Sequence, residues 1–389
     1  MRRIEVQLKG FEFRRVYRIV TFNNLAAEWQ NNLYFLVLVE DVHNLTLLTK
    51  MNSSGLSDLF IVTSNREVYS TSILPIILLE DGEISEHDVV AVSPHKNEVQ
   101  VLFRSSDLHH TVFLTNRCNS NCLMCSQPPT PQDDSWLITE AIEVAKHIKL
   151  SPALIGFTGG EPLLLGKQLR ELFNTYRMYH PNIEIDLLTN GRLLSDRDLA
   201  VKILKGLEIK VNWMVPLYGH ADFLHDFVVQ APGAFEQTLN GLLNLQEFGQ
   251  PIQLRIVLIE PVLEILPKLC DFISRNLPFV REVALMGCEP IGFALANRDI
   301  CEVNIQDWSP VLEEAALILL NSRIEPVLMN IPLCSISSTL RKYAHKSISD
   351  WKQTYAEECK SCIVKTDCSG LFSWYEKGWK PSAISRVTE

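Results

Sequence analysis

From about residue 110 onward the chain alternates, six times over, between a short apolar segment and an amphipathic one. "TVFLT", "ALIGF", "IEIDLL", "IKVNWMVPL", "IQLRIVLIE" and "REVALMG" have the length and branched content of strands. "ITEAIEVAKHIK", "GKQLRELFNTYRMY", "SDRDLAVKIL", "AFEQTLNGLLNLQEFG", "LEILPKLCDFISRN" and "DWSPVLEEAALILLN" carry the helical period. Apolar strands alternating with helices imply a parallel sheet covered on both faces. Six such units suit a barrel or an open partial barrel, with the chemistry at the C-terminal ends of the strands. Residues 1–108 read differently. "NLYFLVLVEDV", "DLFIVTSN", "ILPIILLEDG", "HDVVAVSP" and "EVQVLFRSS" are short, β-branched and separated by turn residues, which predicts a small β-rich domain. The expected division is therefore a β-rich domain over 1–108, an α/β partial barrel over 109–325, and a cysteine-rich segment over 326–389.

Charge and cysteine usage narrow the function classes. A net charge of −10 argues against general nucleic-acid binding. No apolar run has the length of a membrane span. "MRRIEVQLKGFEF" lacks the apolar core of a signal peptide, so a cytoplasmic location without membrane partners is expected. Ten cysteines in a reducing compartment point to metal binding or catalysis rather than disulfides.

Six of the ten fall into two groups. "RCNSNCLMC" directly follows the first barrel strand and spaces Cys118, Cys122 and Cys125 as C-x3-C-x2-C. The second strand is followed by Gly159-Gly160-Glu161-Pro162, the third by Thr189-Asn190-Gly191, and the sixth by Gly287-Cys288-Glu289-Pro290. All would share one rim. Three thiolates leave one iron of a four-iron cube open to another ligand. A Gly-Gly pair admits close backbone approach, and a carboxylate beside it can accept from an amine. Together they describe a site for an amino-acid-like cofactor. Taken alone, the cysteine group is also compatible with half of a zinc site, with a further ligand from elsewhere.

"CNSNCLMC" followed one βα unit later by "TGGEP" resembles the radical S-adenosylmethionine (SAM) superfamily. The resemblance implies a partial (β/α)6 barrel. It also implies a [4Fe–4S] cluster on Cys118, Cys122 and Cys125, with SAM on the open iron. Reductive cleavage of SAM would give a 5′-deoxyadenosyl radical that abstracts hydrogen from the substrate. Gly159, Gly160, Glu161 and Pro162 would contact the methionine moiety. Met124 stands where the superfamily often has an aromatic residue and would pack on adenine. Asn190, Arg255, Gly287 and Pro290 are further candidates for SAM contacts.

The second group, Cys359, Cys362 and Cys368 in "CKSCIVKTDC", resembles the auxiliary-cluster extension of radical SAM peptide maturases. Cys334 in "NIPLCSIS" is the expected fourth ligand of one auxiliary [4Fe–4S] cluster, with zinc as the alternative. "LTNRCNSNCLMCSQPP", "MVPLYGH", "GAFEQTLNGLLNL" and "MGCEPIGFALANRD" resemble the radical SAM maturases of the His-Xaa-Ser system. The implied partners are a precursor peptide with His-Xaa-Ser repeats, a sibling radical SAM maturase and an electron donor. The Pro-rich loop ending at Trp136 either lines a peptide entry or packs on the rim. Other readings are a radical SAM enzyme acting on a small metabolite or RNA, and a non-catalytic, zinc-stabilised interaction module.

Overall fold

The computed structural model describes residues 2–55, 58–376, 378–379, 381 and 384–388. It forms two compact units. One comprises Met1–Val112, Trp136–Ile155 and Leu172–Ile183, and the other Phe113–Ser135, Gly156–Glu171 and Glu184–Glu389.

The first unit is built on eight strands: β1 (Arg3–Glu5), β2 (Gln7–Lys9), β3 (Arg15–Thr21), β4 (Phe35–Leu38), β5 (Leu59–Thr63), β6 (Ile76–Leu78), β7 (Val89–Ser93) and β8 (Glu98–Phe103). Their order is β1-β8-β7-β3-β4-β5-β6-β2. Strands β3 to β6 run parallel, and the remaining pairings are antiparallel. The expected run of strands is interleaved with α1 (Leu25–Glu28), α2 (Val42–Ser53) and α3 (Arg66–Thr71), so this unit is mixed α/β. Alternation explains its two cores. Tyr17, Ile19, Leu36, Val62 and Ile77 pack on one face, and Val20, Phe35, Val37, Ile61 and Ile76 on the other.

Helix α4 (Trp136–His147), read from sequence as the first barrel helix, packs on β3 in this unit. Arg14 forks onto Glu140 at 2.8 and 2.9 Å, and its guanidinium lies 4.8 Å from the Trp136 ring. Buried Arg18 donates to the His147 carbonyl at 2.6 Å and pairs with Glu28 at 3.4 Å.

The second sheet has seven strands in chain order, one more than the six expected: β9 (Thr111–Phe113), β10 (Leu154–Thr158), β11 (Glu184–Leu188), β12 (Lys210–Pro216), β13 (Ile252–Leu258), β14 (Glu282–Gly287) and β15 (Glu325–Met329). Pairings from β11 to β15 are all parallel. The connecting helices are α5 (Lys167–Tyr179), α6 (Arg197–Leu204), α7 (Asp222–Val229), α8 (Ala234–Glu247), α9 (Glu260–Leu263), α10 (Leu266–Asn276), α11 (Phe293–Ala296), α12 (Arg298–Cys301) and α13 (Ser309–Asn321). A two-stranded ribbon of β16 (Gln353–Thr354) and β17 (Leu371–Phe372) follows.

The two faces of this sheet differ. Ile185, Leu187, Val211, Trp213, Leu254, Ile256 and Leu258 are buried on one side. Their neighbours Asp186, Leu188, Asn212, Met214, Arg255, Val257 and Met286 remain partly accessible on the other. Arg255 on β13 reaches the sulfur of Met329 on β15 at 3.7 Å. Strands two apart lie about 10 Å from each other in a flat sheet. The long guanidinium side chain and the thioether together span that interval on the polar inner face.

Candidate active site and a second cysteine site

The loop bearing Cys118, Cys122 and Cys125 leaves β9 and is held from several directions. Asp134 fixes its start: the buried carboxylate accepts from the Asn116 backbone N–H, from Asn116 Nδ2 at 3.1 Å and from Thr115 Oγ1 at 3.1 Å. Its middle is tied to the end of α7, where Asn121 N and Leu123 N donate to the carbonyls of Val229 and Val228, each at 3.0 Å. Its end is gripped by the segment after β14. Phe293 N donates to the Cys125 carbonyl at 2.8 Å, and Asn297 Nδ2 to the Leu123 carbonyl at 2.9 Å. Gly292 makes that grip feasible. It has φ +66°, and a Cβ there would stand 2.5 Å from the Cys125 oxygen.

The Gly-Gly turn packs on the same loop. Gly160 N donates to the Thr115 carbonyl at 2.7 Å and Glu161 N to the Arg117 carbonyl at 2.8 Å. A Cβ on Gly159 would meet the Thr115 oxygen at 2.6 Å, and one on Gly160 the Arg117 oxygen at 2.2 Å. These glycines therefore serve a backbone-to-backbone approach within the chain.

Glu161 is fully buried and turned inward. Its carboxylate accepts from Leu163 N at 2.8 Å, Thr189 Oγ1 at 2.6 Å and Asn190 N at 2.7 Å. The group that the sequence aims at an amine is spent on three donors of the protein itself. Burial pushes its pKa up, while these donors and Arg192 pull against that shift. Asn190 then bridges to the cysteine loop, its Nδ2 donating to Asn119 Oδ1 at 2.6 Å. Arg192 adds a second bridge through the Asn119 carbonyl and Ser120 Oγ. Pro162 opens the short turn Pro162–Leu165 and is buried, as is Met124. Gly287 closes β14 against the Asn330 carbonyl, and Pro290 packs beside Gly378.

The three thiols are partly exposed at this rim. Burial pushes Cys118 up to about 11 and Cys122 up to about 12, and it also raises Cys125. Cys118, Cys122 and Cys125 thus form a set of soft donors whose thiolates are disfavoured by burial, with Arg192 acting against that shift on Cys122. Such a set fits a cationic, sulfur-seeking core.

The C-terminal cysteines meet elsewhere. Cys334, Cys359, Cys362 and Cys368 line one small pocket with Tyr355, Lys365, Ile384 and Ser385. Amide groups point at two of the sulfurs. Leu333 N and Gly370 N donate to Cys368 Sγ, and Val387 N to Cys362 Sγ, each at 3.4 Å. Among the described residues no three His, Cys, Asp or Glu side chains converge on a single ion position. Four thiols around a cavity with N–H donors on their sulfurs fit an iron–sulfur cluster, whose potential such donors tune. The segment is fastened to the rim by Lys352, which pairs with Glu289 at 2.9 Å.

The model of the radical SAM superfamily matches residues 112–273. This chain carries a radical SAM domain. The match runs from β9 through β13 of the seven-stranded sheet, and the superfamily implies a [4Fe–4S] cluster and SAM as cofactors. Over 173 residues the chain is 28% identical to a probable GTP 3′,8-cyclase of Methanocella arvoryzae, covering 44% of this chain and 52% of that protein. It is 29% identical over 167 residues to an Fe-coproporphyrin III synthase of Methanosarcina barkeri, covering 42% and 40%. The chain spans about half the length of the curated relatives it matches. Among solved structures, a radical SAM methyltransferase from Sphaerobacter thermophilus is similar at a TM-score of 0.42 and 15% identity, over 62% of this chain and 73% of that one. Among the described residues no helix is long and apolar enough to cross a membrane.

Sequence reasoning missed Asp134, Arg192, Gly292 and Asn297, which hold the cysteine loop from outside it. Only Gly292, inside "CEPIG", carried a visible turn signal.

Proposed function

We propose that this chain is a radical SAM peptide maturase, with Cys118, Cys122 and Cys125 as ligands of the catalytic cluster. When bound, a reduced cluster supplies one electron to SAM. The chain's own residues position and enclose. Asp134, Asn190, Arg192 and Asn297 fix the cysteine loop, and Glu161 locks the second and third strand ends beneath it. Cys334, Cys359, Cys362 and Cys368 hold an auxiliary [4Fe–4S] cluster, with zinc as the alternative occupant. The observation that supports the peptide reading is this four-cysteine cavity joined to the rim through Lys352 and Glu289. The substrate is a precursor peptide with His-Xaa-Ser repeats, processed together with a sibling maturase and an electron donor. Domain 1–108 is proposed as the peptide-docking part and 326–389 as the auxiliary metal segment.

A second reading is a radical SAM enzyme on a small metabolite. It is favoured by the curated relatives, which are named for GTP 3′,8-cyclase and Fe-coproporphyrin III synthase.

The test is anaerobic reconstitution followed by iron and sulfide analysis of the wild type and of the triple alanine variant of Cys118, Cys122 and Cys125. Two clusters predict about eight irons falling to about four, with 5′-deoxyadenosine made only by the wild type. About four irons falling to none, with zinc present, would make the C-terminal site a zinc site. Zinc alone in both would make the chain a non-catalytic interaction module. Deoxyadenosine release accelerated by a His-Xaa-Ser peptide, and not by nucleotides or porphyrins, separates the two enzyme readings.

A further inference from the structure

Three cysteines stand outside the two groups already described: Cys270, Cys288 and Cys301. Cys270 lies on the buried side of α10 with Leu266, Leu269 and Ile273 and serves the core. The other two meet. Cys288 follows β14 directly, Cys301 closes α12, and their side chains hydrogen-bond thiol to thiol. Cys301 is fully buried, whereas Cys288 is partly accessible. The shared bond and burial push Cys288 well above the usual thiol range, and the same bond pulls Cys301 down against its burial. The pair therefore releases its first proton from Cys301. One proton shift along the shared bond then places the charge on the accessible sulfur of Cys288.

The residues between the two cysteines are the ones that grip the cysteine loop. Phe293 N donates to the Cys125 carbonyl and Asn297 Nδ2 to the Leu123 carbonyl. Cys301 Sγ donates to that same Leu123 carbonyl at 3.9 Å, and its backbone N–H donates to the Asn297 carbonyl at 3.0 Å. Helices α11 and α12 have only four residues each, so their own backbone bonds hold this clasp weakly. A covalent tie between its ends would restrict it far more.

We propose that Cys288 and Cys301 form a thiol–disulfide couple, oxidised by a low-molecular-weight disulfide such as oxidised glutathione, whose bond closes the clasp on the cysteine loop into a covalent ring. The Cys288 thiolate attacks one sulfur of the small disulfide, forming a mixed disulfide and releasing one small thiolate. Cys301 then attacks the Cys288 sulfur and releases the second. The S–S bond of the small disulfide breaks and a new one forms in the chain. The two cysteines lose two electrons and two protons, and both pairs end on the two small thiols. Oxidation also takes the Cys301 S–H away from the Leu123 carbonyl. The exchange uses neither a cluster nor SAM, so it goes beyond the radical reading and does not rest on it.

The experiment incubates the anaerobically reconstituted full chain in mixtures of reduced and oxidised glutathione. Free thiols are then alkylated, and the chain is digested with trypsin without reduction and weighed by mass spectrometry. Trypsin cuts after Arg281, Arg298 and Arg323, so the two cysteines fall in separate peptides, 282–298 and 299–323. The expected product is these two peptides joined, two hydrogens lighter than their sum, increasing with the oxidised share and reversed by dithiothreitol. In Cys301→Ser, Cys288 keeps a glutathione adduct, because the resolving thiol is gone. In Cys288→Ser, Cys301 stays reduced, because it is buried. Hydrogen exchange of the backbone over 288–301 slows about tenfold or more in the oxidised chain. A wild type whose peptide 282–298 carries glutathione or a free thiol at every ratio overturns the couple. Loss of iron or zinc in either serine variant makes the pair metal ligands and overturns it as well. A cross-link that leaves the exchange over 288–301 unchanged overturns the closure of the clasp.

Discussion

At the scale of single residues, the rim is a lesson in side chains that serve the loop rather than a ligand. Glu161 satisfies three buried donors at 2.6 to 2.8 Å. Glu161→Ala strands all three, and each unsatisfied buried donor costs about 1–3 kcal/mol. We therefore expect this variant to lose iron and SAM affinity together, with a depressed melting temperature. A variant that keeps its iron and stability while losing SAM would instead put the carboxylate on the ligand. Gly160 gives a sharper case, since the Cβ of an alanine would stand 2.2 Å from a backbone oxygen that cannot swing away. Gly160→Ala should cost at least about 2 kcal/mol, read by chemical denaturation, and should fail to retain the cluster on reconstitution. Both glycines were legible as a motif. What they touch was not, because a Gly-Gly pair shows only that some backbone comes close.

At the scale of elements, periodicity placed the strands and helices of the barrel well, because each carries a long, regular pattern. It failed where the pattern was short or shared. The five-residue β15, "EPVLM", has too little sequence to show a period. Helix α2 reads "VHNLTLLTKMNS", whose threonines and asparagines obscure the apolar stripe, although Asp41 caps it from Asn44 N at 2.8 Å. Nothing local in α4 says that it packs on β3. That placement depends on Arg14, Arg18 and a buried histidine. His147 accepts from Tyr34 N at 3.3 Å through Nε2, and its Nδ1 donates to the Glu143 carbonyl at 2.8 Å, so the fold holds the neutral ring. Burial lowers its pKa to about 4. The unfolded chain takes up a proton near 6.5, so the stability tied to the neutral ring is complete above that pH. It is lost as pH falls from about 6.5 to about 4, amounting to about 3 kcal/mol. His225, also lowered to about 4 by burial and accepting from Tyr218 N, adds a second step of the same sign in the other unit. Urea denaturation between pH 7 and 4.5 should show a shallower fall in His147→Gln than in the wild type. Identical slopes would mean that carboxylates alone drive the acid loss.

At the scale of the whole molecule, the two cysteine groups lie at opposite ends of a long sequence interval, yet both belong to the same compact unit. Spacing separated two cysteine groups, and the resemblance added Cys334 to the second, where the structure places it beside Cys359, Cys362 and Cys368. The joint between them, Lys352 on Glu289 with Gly378 against Pro290, has no local signature, because it pairs residues 63 apart in one case. That joint divides the consequences of losing the second site. Cys368 is buried and its sulfur receives two backbone N–H groups. On the proposed reading Cys368→Ser removes a ligand of the auxiliary site, and it replaces the sulfur that Leu333 N and Gly370 N face with a smaller hydroxyl. The segment from 330 to 372 consists mostly of short turns and a two-stranded ribbon, and on the proposed reading the metal adds a tie between parts of it that no long strand or helix connects. The strands from β11 to β14 have their own core of Leu187, Trp213, Leu254, Ile256 and Leu285, all fully buried. Limited proteolysis of Cys368→Ser should thus cut first within 330–372 and leave a protected fragment ending near β15, with metal content reduced by one site. Glu289→Gln should open the same region while keeping all the metal, because it breaks only the joint. If both variants instead lost protection through the whole barrel at once, the cysteine-rich segment would be part of one cooperative unit with the barrel core, and the metal there would stabilise both.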